Sequence, residues 1–307
     1  MSAADSKRNT TTIPVERNEV TGSVSSTVIA SRRKREVSLA DSIPGRIGIV
    51  LLSLAIFVVI WQILAEVINN TVILSSPVLV MEALASLLSG NIPTGAQGIG
   101  NIYTQIWVTV EFIVVGYLIS LVGIPIGIIM GRWRTAETII DPWINALYAI
   151  PMVALTPLIY PLTGGTFSAA ILVVFLISVF TIMVNTYTSV KYTSNNLAEV
   201  GKTFNATEFQ FLSKIVLPAS LPDIVAGMRL GLGRAVLGAV VAEVLVTFNQ
   251  LGSSMMTFQM LINTPASMAI VFLIALIGIL ALQTPRLIEH YAFRWKETER
   301  LQRGFKR

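Results

Sequence analysis

Long apolar runs separated by shorter polar segments dominate the pattern of residues along this chain. A run of about 20 apolar residues is long enough to cross a bilayer as a helix. The runs predict six spans, over 47–66, 106–131, 141–162, 168–188, 223–248 and 267–285. We therefore expect an all-α integral membrane fold.

The third run differs from the others because Pro151, Pro157 and Pro161 interrupt it. A helix with prolines survives in lipid only where neighbouring groups satisfy the freed backbone carbonyls. A kinked span and a broken helix with a functional role fit this pattern equally well.

A short helix is predicted inside the apolar segment 67–105. Ser76 is a candidate N-cap, Pro77 suits the first helical position, and Gly90 ends the apolar run. The helix could lie at the membrane interface or pack on the protein, and both alternatives fit.

A polar segment of unusual size, 189–222, separates the fourth and fifth runs. Asn195 and Asn196 are candidate caps for a short helix over 199–204, and Asn205 can reverse the chain in the left-handed region. A second helix is predicted from Thr207. We therefore expect a helix–turn–helix over residues 195–218, named the coupling loop because it connects two spans.

Three apolar residues of the second short helix, Phe209, Leu212 and Val216, are spaced to share one face. Pro218 and Pro222 are predicted to mark the exit before the fifth span. The polar side of the coupling loop would then face a soluble partner, and its apolar side would pack on the spans.

Composition supports the membrane assignment and narrows the chemistry. The chain is 53% hydrophobic and 13% charged, with a mean hydropathy of +0.72. It has no cysteine and a single histidine, His290. Most nucleophilic and metal-dependent enzyme designs are thereby disfavoured. The net charge of +5 is better explained by basic loops than by nucleic acid.

The basic residues outside the spans all fall on one side of a six-span arrangement. Segments 67–105, 163–167 and 249–266 contain none, and the tail from 286 onward has seven. The others are Lys7, Arg8, Arg17, Arg32, Arg33, Lys34, Arg35, Arg46, Arg132, Arg134, Lys191, Lys202 and Lys214. The positive-inside rule predicts that both termini and the coupling loop are cytoplasmic.

The two ends of the chain lack apolar periodicity. Residues 1–46 are rich in Ser, Thr and charge and predict a mostly disordered tail, and 297–307 predict a basic tail. We do not expect the N-terminal segment to be a signal peptide, because the polar part is too long and the apolar run after it is long enough to span. The domain between them is expected over 47–296.

The coupling loop resembles that of permeases from binding-protein-dependent ABC importers. Their pattern is E-A-A, three residues, G, nine residues, I, one residue, then L-P. The residues at those spacings here are Glu199, Val200, Gly201, Asn205, Ile215, Leu217 and Pro218, and the adjacent Ala206 is also a candidate coupling residue. The segments SSPVLVMEAL, GRWR and LPDIVAGMRLGLGRAVLGAVVAEVL are similar to the sulfonate, taurine, nitrate and bicarbonate branch, and the resemblance covers about 45–296.

The sequence departs from the family pattern at three positions. Val200 and Gly201 replace the paired alanines, and Asn205 replaces the glycine. Neutral drift and a degenerate half of a heterodimeric pair both account for these departures.

The resemblance implies a permease subunit in the inner or plasma membrane that forms half of a transport pathway. Its expected partners are two ABC ATPase subunits, a second permease subunit (identical or not), an extracytoplasmic solute-binding protein and the lipid bilayer, without nucleic acid. The chain has no phosphate-binding G-x-x-x-x-G-K-[ST] motif, so ATP and Mg²⁺ are expected on the partner ATPase.

The solute implied by this branch is a small anion, with pyrimidine or flavin-type solutes as alternatives. A secondary transporter or a membrane scaffold not driven by ATP remains the other interpretation.

Charged residues inside the predicted spans are candidate pathway or packing residues, because each costs roughly 2.5–3.5 kcal/mol at a helix centre. They are Glu111, Arg229, Arg234 and Glu243. Pairing with groups on other helices would give these charges a structural role, and an arginine that lines an anion path would have a functional one.

Small residues recur at every fourth position in two spans. Gly123, Gly127 and Gly131 form one row, and a second row runs from Gly227 to Ala239. Such rows permit close helix packing in lipid, either within the chain or against a second subunit.

Overall fold

The structure is a computed structural model that describes residues 43–91 and 99–292, with side chains described for 47–91 and 99–284. The chain divides into two units, Met1–Leu54 and Ala55–Arg307. The described part of the first unit is the beginning of one apolar helix with exposed side chains. The predicted tails 1–46 and 297–307 fall almost wholly outside the described residues.

The described residues are helical, with short connections and no strand. The eleven α-helices of this part of the chain are α1 (Ile43–Ile68), α2 (Pro77–Leu88), α3 (Ile102–Ser120), α4 (Gly123–Arg132), α5 (Arg134–Ala149), α6 (Met152–Thr163), α7 (Thr166–Thr203), α8 (Glu208–Gln210), α9 (Leu217–Leu245), α10 (Leu251–Met260) and α11 (Thr264–Ala292). A π-helical turn, Phe211–Val216, joins α8 to α9.

Five helical segments are long and apolar enough to cross a membrane. They are Ile47–Ile68, Ile102–Arg132, Thr166–Thr203, Glu208–Leu245 and Thr264–Thr284. These segments match five of the six predicted spans, and each extends beyond the predicted limits at one end or both.

The predicted third span, 141–162, is two helices rather than one. α5 and α6 meet at a bend of 95° and give a sixth span only if they cross together. The bend lies at Ile150, whose extended backbone is what a residue before proline prefers. Of the two alternatives, the structure has the broken helix.

Helix α7 is the centre of the packing, with α3, α4 and α9 against it. A Cβ atom built on Gly127 would lie 2.6 Å from the Met183 carbonyl oxygen, and one on Gly227 would lie 2.6 Å from Asn185 Cβ. Both glycine rows therefore pack on α7, which confirms the explanation of packing within the chain.

The segment that follows α1 contains the predicted short helix. Ser76 caps α2, and Pro77 is at its first position. Val80 and Leu87 are buried among residues of α10 and α11, so α2 packs on the protein.

Helix α10 is not among the elements that the sequence predicts. It is followed by Ile262 in the left-handed region, at φ 58°, where the Ile262 N–H donates to the Gln259 carbonyl and the Asn263 N–H donates to the Phe258 carbonyl. This Schellman arrangement normally uses glycine or asparagine.

Two expectations about the coupling loop are wrong. Helix α7 continues through Asn195 and Asn196 to Thr203, so these asparagines cap nothing and 199–204 is no separate helix. Pro218 and Pro222 lie in the first turns of α9 and do not interrupt it. In the first turn of a helix the N–H groups have no partner within the helix, so the missing N–H of Pro218 costs no hydrogen bond, whereas Pro222 lies inside the helix.

Candidate functional site

The turn of the coupling loop is a Schellman motif built on Asn205. The Asn205 N–H donates to the Lys202 carbonyl at 3.0 Å, and the Ala206 N–H donates to the Gly201 carbonyl at 3.0 Å. Asn205 has φ 47°, in the left-handed region that asparagine tolerates. The prediction that the chain reverses at Asn205 is confirmed.

The second short helix starts at a capping box. The Thr207 hydroxyl accepts from the Gln210 N–H, and the Gln210 side chain accepts from the Thr207 N–H. This reciprocal pair satisfies two N–H groups that helix starts leave unpaired. The predicted start at Thr207 is therefore correct.

The face predicted for Phe209, Leu212 and Val216 is wrong. Phe209 is 78% exposed, whereas Phe211 and Val216 are buried. The turn over Phe211–Val216 is π-helical, so residues five apart recur on one side and the spacing of an α-helix does not apply.

A close contact joins the two arms of the coupling loop, which are the end of α7 and the helical segment after the Asn205 turn. A Cβ atom built on Gly201 would lie 2.5 Å from Cδ2 of Phe211, so any larger residue must move the ring. Phe211 belongs to a small apolar cluster with Val190, Val216 and Ile224, and Ala206 and Ile215 pack against it. Gly201 is one of the departures from the family pattern, and the Phe211 ring fills the space that an alanine side chain would need at this position.

Arg132, the last residue of α4, contacts both arms. Its guanidinium forms an ion pair with Glu208, lies 5.0 Å from the centre of the Phe211 ring and donates to the Ser194 hydroxyl at 3.4 Å. A second ion pair joins α5 to α7, where Lys191 donates to Glu137 at 2.6 Å. The coupling loop is thus fastened to α4, and the helix that leads into it is fastened to α5.

The outer surface of the coupling loop is mostly polar but includes two exposed aromatic residues. Phe204 is 76% exposed, so exposed aromatic residues lie on both sides of the Asn205 turn. Of the other residues predicted for the coupling loop, Glu199, Val200, Asn205 and Pro218 are exposed. Glu199 lies near the end of α7 and does not cap a helix. Sequence reasoning missed Phe204 and assigned Phe209 to the buried side.

Exposed aromatic side chains of this kind are typical anchors of protein interfaces. Their position at a turn between two long helices makes the coupling loop the candidate contact surface for a partner.

Glu243 is buried completely and held by groups from two other helices. Its Oε1 accepts from the Thr109 hydroxyl at 2.5 Å, and its Oε2 accepts from the Gly252 N–H at 2.9 Å. Nearby in the chain, Ser254 of α10 donates to Gln105 of α3 at 2.9 Å. The expectation that this charge is satisfied by other helices is correct.

The other intramembrane charges lie elsewhere. Glu111 and Arg229 are half-buried, and Arg234 is exposed. The Arg234 side chain lines a cavity at the break between α5 and α6. The predicted charges thus do not form one cluster, and Arg234 is the exposed member of the four.

Comparison with known proteins gives one consistent result. Residues 123–290 match the family described as binding-protein-dependent transport system inner membrane component. A protein of Methanocaldococcus jannaschii named as a putative ABC transporter permease is 34% identical over 79% of this chain and 90% of its own length.

Two further relatives carry the names of solutes. A putative aliphatic sulfonates transport permease of Bacillus subtilis is 28% identical over 80% of this chain and 86% of that protein. A formylaminopyrimidine transport permease of Halalkalibacterium halodurans is 27% identical over 78% of this chain and 93% of that protein.

Proposed function

The chain belongs to the family of binding-protein-dependent transport system inner membrane components, and we propose that its coupling loop is the docking element for an ATPase subunit. A permease of the ABC importer class depends on motion driven by ATP, and this sequence has no G-x-x-x-x-G-K-[ST] motif to bind ATP. A secondary transporter or a passive scaffold is not favoured by this family membership.

The observation that carries the proposal is the exposure of Phe204 and Phe209 on a fixed turn. Buried contacts on one side hold the turn, through Gly201, Phe211 and Arg132, while the two aromatic rings are open to solvent. A rigid surface with aromatic anchors binds a partner at a small entropic cost. Motion of that partner would pass directly into α7 and α9.

The remaining partners follow from the class. We propose a second permease subunit, two ATPase subunits that carry ATP and Mg²⁺, and a solute-binding protein on the opposite side of the membrane. Basic residues in the coupling loop and in both tails support a cytoplasmic position for these segments. Sulfonate among the relatives' solutes, together with the exposed Arg234, supports a small anionic solute.

The test is the retention of ATPase during purification of the permease. Phe204→Ala combined with Phe209→Ala should reduce retained ATPase at least about tenfold, because central aromatic anchors contribute roughly 2 kcal/mol or more each. Phe248→Ala is the matched control, since Phe248 is 70% exposed but lies just past the other end of α9. Equal ATPase retention in the double variant and the control would exclude this loop as the docking element.

A further inference from the structure

We propose that Arg234 forms an anion-binding site inside the membrane-spanning region, at the break between α5 and α6. A cavity of about 280 Å³ lies between that break, α7 and α9. Its polar groups are Arg234, Tyr148 and Thr181, and its apolar walls include Met152, Phe180 and Leu237. The inference rests on the proposed transport function and assigns it a site in this chain.

The charge of Arg234 points to a ligand. Arg234 lies 11 residues before the end of α9 at Leu245, about 16 Å along the helix axis. An arginine at this depth is costly unless it faces an aqueous cavity, a counter-charge or a ligand. Among the described residues Arg234 makes no ion pair, and no acidic residue lines the cavity.

The backbone beside the cavity provides a second, independent observation. Ile150 and Pro151 leave the helical conformation between α5 and α6, and both are exposed. Non-helical backbone within the membrane is tolerated where it is buried in protein or lines a water-filled cavity. Because Tyr148 and Met152, on either side of the break, line the cavity, the break fits the wall of an aqueous space.

The lining defines the class of ligand. A guanidinium group presents several N–H donors that match the oxygens of a carboxylate, sulfonate or similar oxyanion. The hydroxyl groups of Tyr148 and Thr181 can add further donors. The apolar walls suit a short hydrocarbon body, so the geometry favours a small organic oxyanion with one charged end.

The test uses the absence of cysteine from the chain. Thr181→Cys is introduced into the purified permease, and its labelling rates by 2-sulfonatoethyl and 2-(trimethylammonium)ethyl methanethiosulfonate are compared without ATP. The first reagent is itself an alkanesulfonate. At each cysteine the anionic labelling rate is divided by the cationic one. We expect this ratio to be at least about tenfold higher at Thr181→Cys than at Thr257→Cys, an exposed position on α10.

Neutralisation of the arginine supplies the decisive comparison. Arg234→Gln should reduce the rate ratio at Thr181→Cys by about tenfold and leave the ratio at Thr257→Cys unchanged, while Arg234→Lys should keep most of it. Ethanesulfonate should slow labelling, and neutral dimethyl sulfone should not. All rates are taken on protein that elutes as a single folded species.

Several results would overturn the site. In the first, neither reagent reacts at Thr181→Cys. In the second, the rate ratios at the two cysteines are equal, and in the third, Arg234→Gln does not change the ratio at Thr181→Cys. The last two would mean that Arg234 is neutralised by another group, such as an acidic residue of a second subunit. Unchanged ATPase retention when Phe204→Ala is combined with Phe209→Ala would contradict the proposed docking role and leave these labelling ratios intact.

Discussion

Thr109 and Glu243, 134 positions apart in the chain, form a buried hydrogen bond of 2.5 Å between α3 and α9. The other carboxylate oxygen of Glu243 accepts from the Gly252 N–H in the first turn of α10. An anionic group suits the start of a helix, where the backbone N–H groups are unpaired. One side chain thus holds three helices together.

Removal of this carboxylate should destabilise the protein. Glu243→Ala leaves the buried Gly252 N–H without its acceptor, which costs about 1–3 kcal/mol. It also removes the shorter hydrogen bond of the Thr109 hydroxyl, which then donates only to the Gln105 carbonyl. We expect the free energy of unfolding to fall by about 2–4 kcal/mol, measured as a lower Tm in detergent. Thr109→Val should also lower the Tm, and its matched control Thr109→Ser, which keeps the hydroxyl, should not. A normal Tm in both Glu243→Ala and Thr109→Val would contradict this assignment.

The turn at Asn205 should tolerate glycine and reject β-branched residues. Asn205→Gly keeps access to positive φ, so folding and ATPase retention should be unchanged or improved. Asn205→Val should cost roughly 1–2 kcal/mol and weaken retention of the ATPase. Co-purification of the two variants at equal permease levels is the measurement. Equal retention by valine and glycine variants would show that the turn does not govern docking.

Gly201 and Phe211 should behave as an energetically coupled pair. Gly201→Ala forces the Phe211 ring to move, and overpacking of this kind costs about 1–3 kcal/mol. Phe211→Leu in the same chain makes room, so the double variant should be more stable than the sum of the two single changes indicates. A double-mutant cycle in Tm checks this expectation. Strict additivity would mean that the ring relaxes without strain.

Ile262 should be improved by substitution. A β-branched residue at φ 58° is unfavourable, and glycine is the usual occupant of this position in a Schellman motif. Ile262→Gly should raise the free energy of unfolding by up to about 1 kcal/mol, because the side chain is 64% exposed and its removal sacrifices little packing. Thermal unfolding measures the gain. Ile262→Val is the control, because it keeps the strain, and it should show no gain.

The orientation of the spans can be tested by labelling from one side. Met260, 84% exposed at the end of α10, and Lys202, exposed near the turn of the coupling loop, are predicted on opposite sides. Single cysteines at these positions should react selectively with an impermeant maleimide, Met260→Cys from outside and Lys202→Cys only after the cells are opened. Reaction of both cysteines in intact cells would exclude the six-span arrangement.

Short stretches of the sequence are sufficient to predict helix starts, the chain reversal and the membrane spans. Ser76 and Pro77 predict the start of α2, Thr207 predicts the start of α8, and Asn205 predicts the reversal, because capping and left-handed turns depend on a few adjacent residues. The apolar runs also predict the spans, since length and hydropathy suffice for that assignment.

The remaining features depend on contacts between distant segments. The partners of Glu243 come from α3 and α10, and no spacing along the chain identifies Thr109 or Gly252. Asn195 and Asn196 resemble caps, yet the helix continues because α7 is held on several sides by its neighbours. The π-helical turn after Gln210 shifts the faces of the second helix, which reasoning from a period of 3.6 cannot anticipate.

Helix α7 spans 38 residues without a proline, and its only glycine, Gly201, is in the last turn. A helix of this length measures about 57 Å, nearly twice the thickness of the hydrocarbon core, and sharp bends in helices arise mainly at proline and glycine. It therefore acts as a stiff lever. A tilt of about 5° around one end would displace the other by about 5 Å. A small movement at the Asn205 turn would therefore be transmitted along α7 to the helices that pack against it, including α3, α4 and α9, without passing through a loop.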